Sequence, residues 1–139
     1  MMIITPHQDF FNICRDIAIK LIGEENVYDF LPPKGVKYPF IYIGSQQHVE
    51  DTWKNKDAIY PTIYQDIYIY NDNPLKRGST SKLAMDFVSI IRTINTTNIT
   101  SLNPNYDYHF NEITYNIRPD NTAEVPLMQA HIYIELKAY

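Results

Sequence analysis

The alternation of side chains between Ile59 and Tyr70 constrains the fold more than any other feature of the sequence. Isoleucines fall on one side of an extended chain and mostly tyrosines on the other: Ile63, Ile67 and Ile69 against Tyr64, Asp66, Tyr68 and Tyr70. A period of two residues predicts a β-strand with two different faces. The isoleucine face is typical of a core. The other face is aromatic rather than simply charged, so we expect something to cover it.

A helix is predicted at the start of the chain. Pro6 suits the first helical position, Thr5 can cap the amide of Gln8, and Gln8 can reach back. Apolar residues then recur every three or four positions, at Phe10, Cys14, Ile17 and Leu21. This stripe makes Cys14, the single cysteine, a core residue rather than a reactive thiol. Gly23 is placed to end the helix in a left-handed cap.

A second helix is predicted to start around Ser79 or Thr80, since both are good cap residues. Its buried stripe consists of Leu83, Phe87, Ile90, Ile91 and Ile94. The Asn/Thr run at residues 95–98 ends this helix, because these side chains compete for backbone hydrogen bonds.

Four further strands are predicted at Val27–Phe30, Tyr38–Ile43, Tyr106–Ile117 and Leu127–Ala138. Prolines and a glycine at residues 31–35 predict a turn between the first two. The alternation changes phase within the third, so we expect a β-bulge near Asn111 and Glu112. The polar stretch from Gln46 to Asp57 is a long hairpin or an exposed loop.

These elements predict an α+β fold in the order α-β-β-β-α-β-β. Because each helix has one apolar face, we expect both helices on one side of a mainly antiparallel sheet of about four to five strands. The length of 139 residues, with no repeat and no low-complexity linker, predicts a single domain over residues 1–139.

The composition is that of an ordinary globular protein, with 45% hydrophobic and 20% charged residues. No stretch approaches the roughly 18 apolar residues of a membrane span, and the first ten residues lack the pattern of a signal peptide. We therefore expect a protein that is made in a cytoplasm, stays soluble and has no membrane partner. The net charge of −4 argues against a free-standing nucleic-acid binder.

The sequence contains no motif for a catalytic, cofactor or metal site, so we predict no enzyme activity and no cofactor. The four glycines are too far apart for a phosphate-binding loop, and no paired cysteines or His-x-x-x-His pattern indicates zinc. His48, Glu50 and Asp51 could contact a metal, but a polar loop in water explains them better. His131 and Glu135 share one side of the last strand, where a surface pair is favoured over an acid–base dyad.

Contacts with other subunits or proteins are the function that the residues favour. Trp53 stands out because it lies among charged residues, where an exposed indole is costly unless it is buried in a partner or against its own domain. The candidate contact residues lie around this tryptophan and on the tyrosine side of the clearest strand: Trp53, Glu50, Asp51, Lys54, Tyr64, Tyr68 and Tyr70.

One segment resembles a known family. Residues 32–44 read Pro-Pro-Lys-Gly-Val-Lys-Tyr-Pro-Phe-Ile-Tyr-Ile-Gly. They are similar to the strand signature of tail terminator proteins, also called tail-to-head joining proteins, of long-tailed bacteriophages and prophages. The order of elements is also similar: Thr62–Tyr70 resembles the strand after a polar insertion, Lys82–Ile94 the second helix, and His131–Leu136 the last strand. The link Asn95–Asn105 is longer than in the family pattern.

The resemblance implies a virion structural protein with no chemistry of its own. Family members form a hexameric ring, a closed heterologous assembly, that caps the tail tube, stops its growth and docks to the head neck. The implied partners are further copies of the chain, the major tail protein and a head completion or neck protein. DNA passes through the lumen without specific binding. The implied location is the virion tail or neck, after assembly in the host cytoplasm.

Two alternatives stay open. One is a head completion protein or neck connector of a phage. The other is an α+β module that binds a small ligand or a peptide, with tyrosines lining its pocket.

Overall fold

The computed structural model describes residues 5–30, 32, 36–50, 61–73, 75–94, 106–120 and 127–138, with backbone alone at 48–50, 61 and 138. Within these residues, two α-helices and five strands follow one another in the predicted order. Their bounds are α1 Pro6–Ile22, β1 Val27–Tyr28, β2 Phe40–Glu50, β3 Pro61–Asn71, α2 Arg77–Arg92, β4 Tyr108–Asp120 and β5 Leu127–Ala138. A short 3-10 helix, Glu24–Asn26, joins α1 to β1.

The strands form one mixed sheet in the order β1-β2-β3-β5-β4. β1 runs parallel to β2, and every other neighbouring pair is antiparallel. The last strand, β5, therefore lies between β3 and β4. Both helices pack on one face of the sheet and against each other, α1 mainly on β2 and α2 mainly on β4 and β5. The predicted fold class is confirmed.

The face beneath the helices, which we call the covered face, forms the core together with the apolar stripes of α1 and α2. Its fully buried sheet residues include Ile41, Ile43, Ile63, Ile67, Ile69, Ala130, Ile132, Ile134 and Leu136. Cys14 of α1 is buried among them as predicted, and burial raises the pKa of its thiol far above the ordinary value. This cysteine is held in the unreactive thiol form.

The first helix begins and ends as its sequence predicts, with one difference. Thr5 accepts a hydrogen bond from the backbone amide of Gln8 at 3.4 Å, and Pro6 follows it. The Gln8 side chain does not reach back; it donates to Asn12 at 2.9 Å. Gly23 follows with φ 91° and ψ 151°, a conformation that only glycine adopts readily. The φ is positive as expected, but the ψ is not that of a left-handed helical cap.

The second helix starts earlier than predicted. Arg77 is its first residue, so Ser79 and Thr80 lie inside the first turn and do not cap it. Both hydroxyls donate instead to the carbonyl of Lys76, at 3.2 and 2.7 Å. The helix ends at Arg92 rather than Ile94. The Asn/Thr run expected to end it lies outside the described residues.

Several strand boundaries also differ from the expectation: β2 starts at Phe40 rather than Tyr38, and β4 spans Tyr108–Asp120 rather than Tyr106–Ile117. β1 is only Val27–Tyr28, and the turn predicted for residues 31–35 lies mostly outside the described part of the chain. β2 continues through the polar residues 46–50 and pairs with β3 as one arm of a hairpin. For residues 46–50 this agrees with the hairpin, one of the two alternatives expected for the polar stretch. The predicted strand ended too early, at Ile43, because backbone pairing does not require the apolar side chains on which hydrophobic periodicity depends.

The predicted bulge in β4 is confirmed at its expected place. The register with β5 shifts between Phe110 and Glu112, which leaves Asn111 unpaired. The extra residue reverses the alternation, so Tyr108 and Phe110 before it and Ile113 after it all contact the core.

Candidate functional site

The second face of the sheet, opposite the helices, is the candidate site, and we call it the open face. Strand alternation and register place on it Tyr42 and Gln47 of β2; Tyr64, Asp66, Tyr68 and Tyr70 of β3; Gln129, His131, Tyr133 and Glu135 of β5; and Glu112, Thr114, Asn116 and Arg118 of β4. Among the described residues, no helix or strand lies over this face. Its tyrosines on β2, β3 and β5 are only partly buried.

Stacked rings run across the middle of the open face. Tyr68 of β3 has Tyr42 on one side, with ring centroids 5.7 Å apart, and His131 on the other, at 4.6 Å and 9° between planes. Tyr70 stacks on Phe40 at 5.0 Å. These aromatic cross-strand pairs stabilise the sheet and hold each ring in one orientation. The result is a rigid, partly exposed aromatic surface.

Gly44 of β2 makes room for this arrangement. A Cβ atom there would lie 2.9 Å from Cε2 of Tyr68 and 3.1 Å from the carbonyl oxygen of Asp66. Both distances are shorter than ordinary van der Waals contact, so only glycine lets the Tyr68 ring lie flat across the β2 backbone.

Gln65 holds the irregular part of β2 that surrounds Gly44. The β2–β3 register shifts between Ile43 and Gln46, and the buried side-chain amide of Gln65 donates to the carbonyls of Gly44 and Ser45 at 3.1 and 3.3 Å. Sequence reasoning missed this residue. Its position among the isoleucines on the covered side of β3 was the signal that could have identified Gln65.

Polar side chains continue the rows of the open face across β5. His131 Nε2 lies 2.7 Å from Asp66 Oδ1, a partner on the neighbouring strand, so His131 does not pair with Glu135. Arg118 Nε donates to Gln129 at 3.2 Å, and Gln129 donates to the hydroxyl of Tyr70 at 2.8 Å. These bonds depend on strand register, which the sequence alone does not show.

A depression of about 410 Å³ lies on the open face beside the stacked rings. We call it the acidic depression; it is lined by Ser45, Gln47, Tyr64, Asp66 and Tyr133. The rings of Tyr64 and Tyr133, which both border it, stack on each other with centroids 6.3 Å apart.

Carboxylates surround these two rings. Desolvation first, then the charge of Glu135 and a hydrogen bond to it, raise the pKa of Tyr64. Desolvation also raises the pKa of Tyr133, and its charge-based causes include Glu135, Glu112 and Asp66. Both hydroxyls stay protonated at neutral pH.

The predicted contact residues divide into two groups. Tyr64, Tyr68 and Tyr70 lie together on the open face, as the alternation predicted. Glu50 is the last residue of β2, and its side chain is not described; Asp51, Trp53 and Lys54 lie outside the described residues. Their role in contacts stays a prediction.

The metal hypothesis for His48, Glu50 and Asp51 likewise falls on side chains that are not described. In the described part of the chain, no three His, Cys, Asp or Glu side chains are grouped to hold a metal ion. None of the helices described here has the length and apolar character needed to cross a membrane.

A second polar contact missed by sequence reasoning lies under the helices. The hydroxyl of Tyr108 on β4 donates to the carboxylate of Asp9 on α1, and both side chains are buried. Burial first, and then this hydrogen bond and the charge of Asp9, raise the pKa of Tyr108 far above its ordinary value. The contact helps to fix α1 on the sheet.

Comparisons with known proteins add one finding. No family model matches the sequence, and no curated protein matches it. Among solved structures, it is similar to a chain from the virion of a native gene transfer agent particle. The identity is 10%, the TM-score is 0.49, and the match covers 87% of this chain and 83% of that one. At that identity and TM-score, the similarity carries no inference about function.

Proposed function

We propose that this chain is a non-enzymatic structural subunit of a phage virion that assembles into a tail terminator ring. The ring caps the tail tube, stops its growth and joins it to the neck of the head. The observation that carries the proposal is the open face: a rigid, partly exposed surface of tyrosines that no described helix or strand covers.

The chemistry of this face favours protein contacts over catalysis. Tyrosine is enriched in protein interfaces, because a ring with few rotatable bonds gives a large contact area at low entropic cost. Stacking between Tyr42, Tyr68 and His131 fixes these rings before any partner arrives. These side chains therefore lose little conformational entropy when a partner binds, which favours affinity.

The ring itself, and the tail as its place, rest on the resemblance of residues 32–44 and of the element order to tail terminator proteins. A ring needs two different patches on each subunit. The proposed partners are further copies in a hexamer, the major tail protein and a head completion or neck protein. The net charge of −4 suits a lumen that DNA passes without being held.

A second candidate function is favoured by the acidic depression. Its volume of about 410 Å³ falls within the range of roughly 300–1,000 Å³ typical of ligand pockets. Two stacked tyrosines and Asp66 could hold a small cationic ligand or a peptide side chain there. A head completion protein or neck connector would use the open face in the same way as a terminator.

Capping of tail tubes tests the proposal directly. The purified chain is added to tubes of the matching major tail protein, and electron microscopy scores tube length and the fraction of capped ends. We expect capped, length-arrested tubes with the wild-type chain. Tyr68→Ala and Trp53→Ala should each raise the protein concentration required for capping at least tenfold.

Met85→Ala is the matched control, because Met85 is an apolar residue of α2, 52% exposed, on the helix side of the molecule. It should cap like wild type. Tubes that keep growing at every concentration of the wild-type chain would contradict the terminator function. Normal capping by both Tyr68→Ala and Trp53→Ala would instead contradict the assignment of contacts.

A further inference from the structure

The acidic depression has an unbalanced negative charge beside it. Glu112 of β4 and Glu135 of β5 are register partners, so the two carboxylates face each other across neighbouring strands on the open face. Like charges directly opposite each other destabilise a sheet. Asp66 is a third carboxylate in the wall of the depression, although His131 is within 2.7 Å of it. The Tyr64 hydroxyl hydrogen-bonds to Glu135, but within the described part of the chain neither Glu112 nor Glu135 forms an ion pair with a lysine or an arginine.

The aromatic rings make the same place suitable for a cation. Tyr64 and Tyr133 stack side by side and border the depression. A guanidinium or ammonium group is attracted to the face of a tyrosine ring, and Arg in particular combines ring stacking with paired hydrogen bonds to carboxylates. Desolvation first, and then the nearby charges of Glu135, Glu112 and Asp66, raise the pKa of Tyr133.

An exposed basic group with complementary properties lies elsewhere on the same chain. We call it the basic corner; it consists of Leu75, Lys76 and Arg77 at the start of α2. Leu75 is 90% exposed, the most exposed large hydrophobic residue among those described. Lys76 is held by Asp72 at 2.8 Å, and Arg77 is exposed.

The position of Arg77 is unfavourable for the isolated subunit. The N-terminus of a helix carries a partial positive charge and is stabilised by acidic side chains, whereas the first turn of α2 contains none. An exposed leucine beside two cations at this end is costly in water and gains from burial against a negative, partly apolar surface.

We propose that the basic corner of one copy docks into the acidic depression of the next copy, with Arg77 placed between Glu135 and Glu112 and Leu75 against the tyrosine rings. The two patches lie on opposite sides of the sheet, since α2 packs on the covered face and the depression is on the open face. A single chain therefore cannot make this contact with itself. Two different patches that meet between copies form a heterologous interface, which closes into a ring or extends as a filament.

The inference rests on the proposed function, because it specifies which surfaces the ring subunits use. Charge reversal tests it. Arg77→Glu keeps the fold, since an acidic residue suits the start of a helix. Glu135→Lys also keeps the fold, because lysine opposite Glu112 removes the like-charge pair. Lys20→Glu, an exposed basic residue on α1, is the matched control.

Assembly of each variant is measured by light scattering after size exclusion, and by capping of tail tubes at increasing protein concentration. Arg77→Glu and Glu135→Lys should each require at least tenfold more protein than wild type to assemble, and Lys20→Glu should not. An equimolar mixture of the two variants should recover assembly, because each remaining interface then joins opposite charges in an alternating ring. The double variant should recover as well.

The possible outcomes separate the two proposals. Wild-type assembly by either single variant overturns the docking of these patches and leaves the ring proposal standing. Two weakened variants that fail to complement each other also overturn it, since the patches would then act in different contacts. A wild-type chain that neither oligomerises nor caps tails overturns the ring and the docking together.

Discussion

The two faces of strand β3 differ in composition and in burial. On β3, Ile63, Ile67 and Ile69 are fully buried beneath the helices, whereas Tyr64, Tyr68 and Tyr70 alternate with them and stay partly exposed. The same backbone thus provides a core and an accessible surface. The comparison indicates that the covered face provides most of the stability and that the open face is available for contacts.

Burial explains why the covered face dominates stability. A fully buried isoleucine contributes about 1.5–3 kcal/mol relative to an exposed one. The open-face tyrosines bury only part of their area within the chain. A partner that covers the exposed area gains the free energy of burying it. Variants on each face therefore test whether stability and assembly are divided in this way.

The largest effect is expected from Ile67→Ala. Ile67 lies at the centre of β3, is fully buried and pairs with Ile132 of β5. Removal of its side chain should lower the free energy of unfolding by about 2–5 kcal/mol, measured by urea denaturation followed by circular dichroism. Ile67→Val should cost only about 0.5–1.5 kcal/mol. A loss below about 1 kcal/mol for alanine would show that the covered face is not closely packed.

Tyr108→Phe tests the polar contact on the covered face. It removes the hydroxyl that donates to Asp9, and hydrogen bonds to charged groups contribute about 1.5–3 kcal/mol. Urea unfolding at pH 7 should show a loss of that size. An unchanged midpoint would mean that Asp9 has another donor that replaces Tyr108 fully.

The pH dependence gives this prediction a sign. The pKa of Tyr108 is raised in the folded chain from an ordinary value of 10.0. Its contribution is fully present below that value, where both states keep the proton. It is lost as the pH rises above 10, because the unfolded chain then ionises first. Wild-type stability should fall there by about 1.4 kcal/mol per pH unit for each such tyrosine, and Tyr108→Phe should fall less steeply by that amount.

Local patterns in the sequence predicted the fold well where one face of an element meets the core. The bulge at Asn111 was predicted because the alternation itself changes phase, and β5 was predicted with its observed bounds. The predicted start of α2 was wrong. Ser79 is a good cap residue in isolation, but in the folded chain its hydroxyl donates to the carbonyl of Lys76. Local propensity does not specify which of several candidate residues begins a helix.

The candidate site was predictable only in outline. The alternation placed Tyr64, Tyr68 and Tyr70 on one face, but their neighbours come from other strands. The bond between His131 and Asp66 joins residues 65 positions apart in sequence. Such pairs depend on register, which is fixed by packing of the whole sheet rather than by any segment alone.

Gly44→Ala should have a smaller effect, and it tests how tightly the open face is built. The new methyl group would lie 2.9 Å from the Tyr68 ring and 3.1 Å from the Asp66 carbonyl oxygen. The ring can swing outward but the carbonyl cannot, so we expect a loss of about 1–2 kcal/mol in urea unfolding. Tyr68→Ala added to Gly44→Ala should cost less than the sum of the two single changes. Strict additivity would show that the ring does not rest on the glycine.

The smallest effect on stability is expected from Tyr68→Ala, although it is the central residue of the open face. The substitution removes the ring's contacts with two cross-strand neighbours, Tyr42 and His131. Each such pair contributes roughly 0.2–1 kcal/mol to stability. The free energy of unfolding should therefore fall by only about 1 kcal/mol, well below the loss in Ile67→Ala at the adjacent position. The same variant should be among the most impaired in capping tail tubes. A loss as large as that of Ile67→Ala would mean that the tyrosine face is a second core, and its exposure would then no longer argue for a partner.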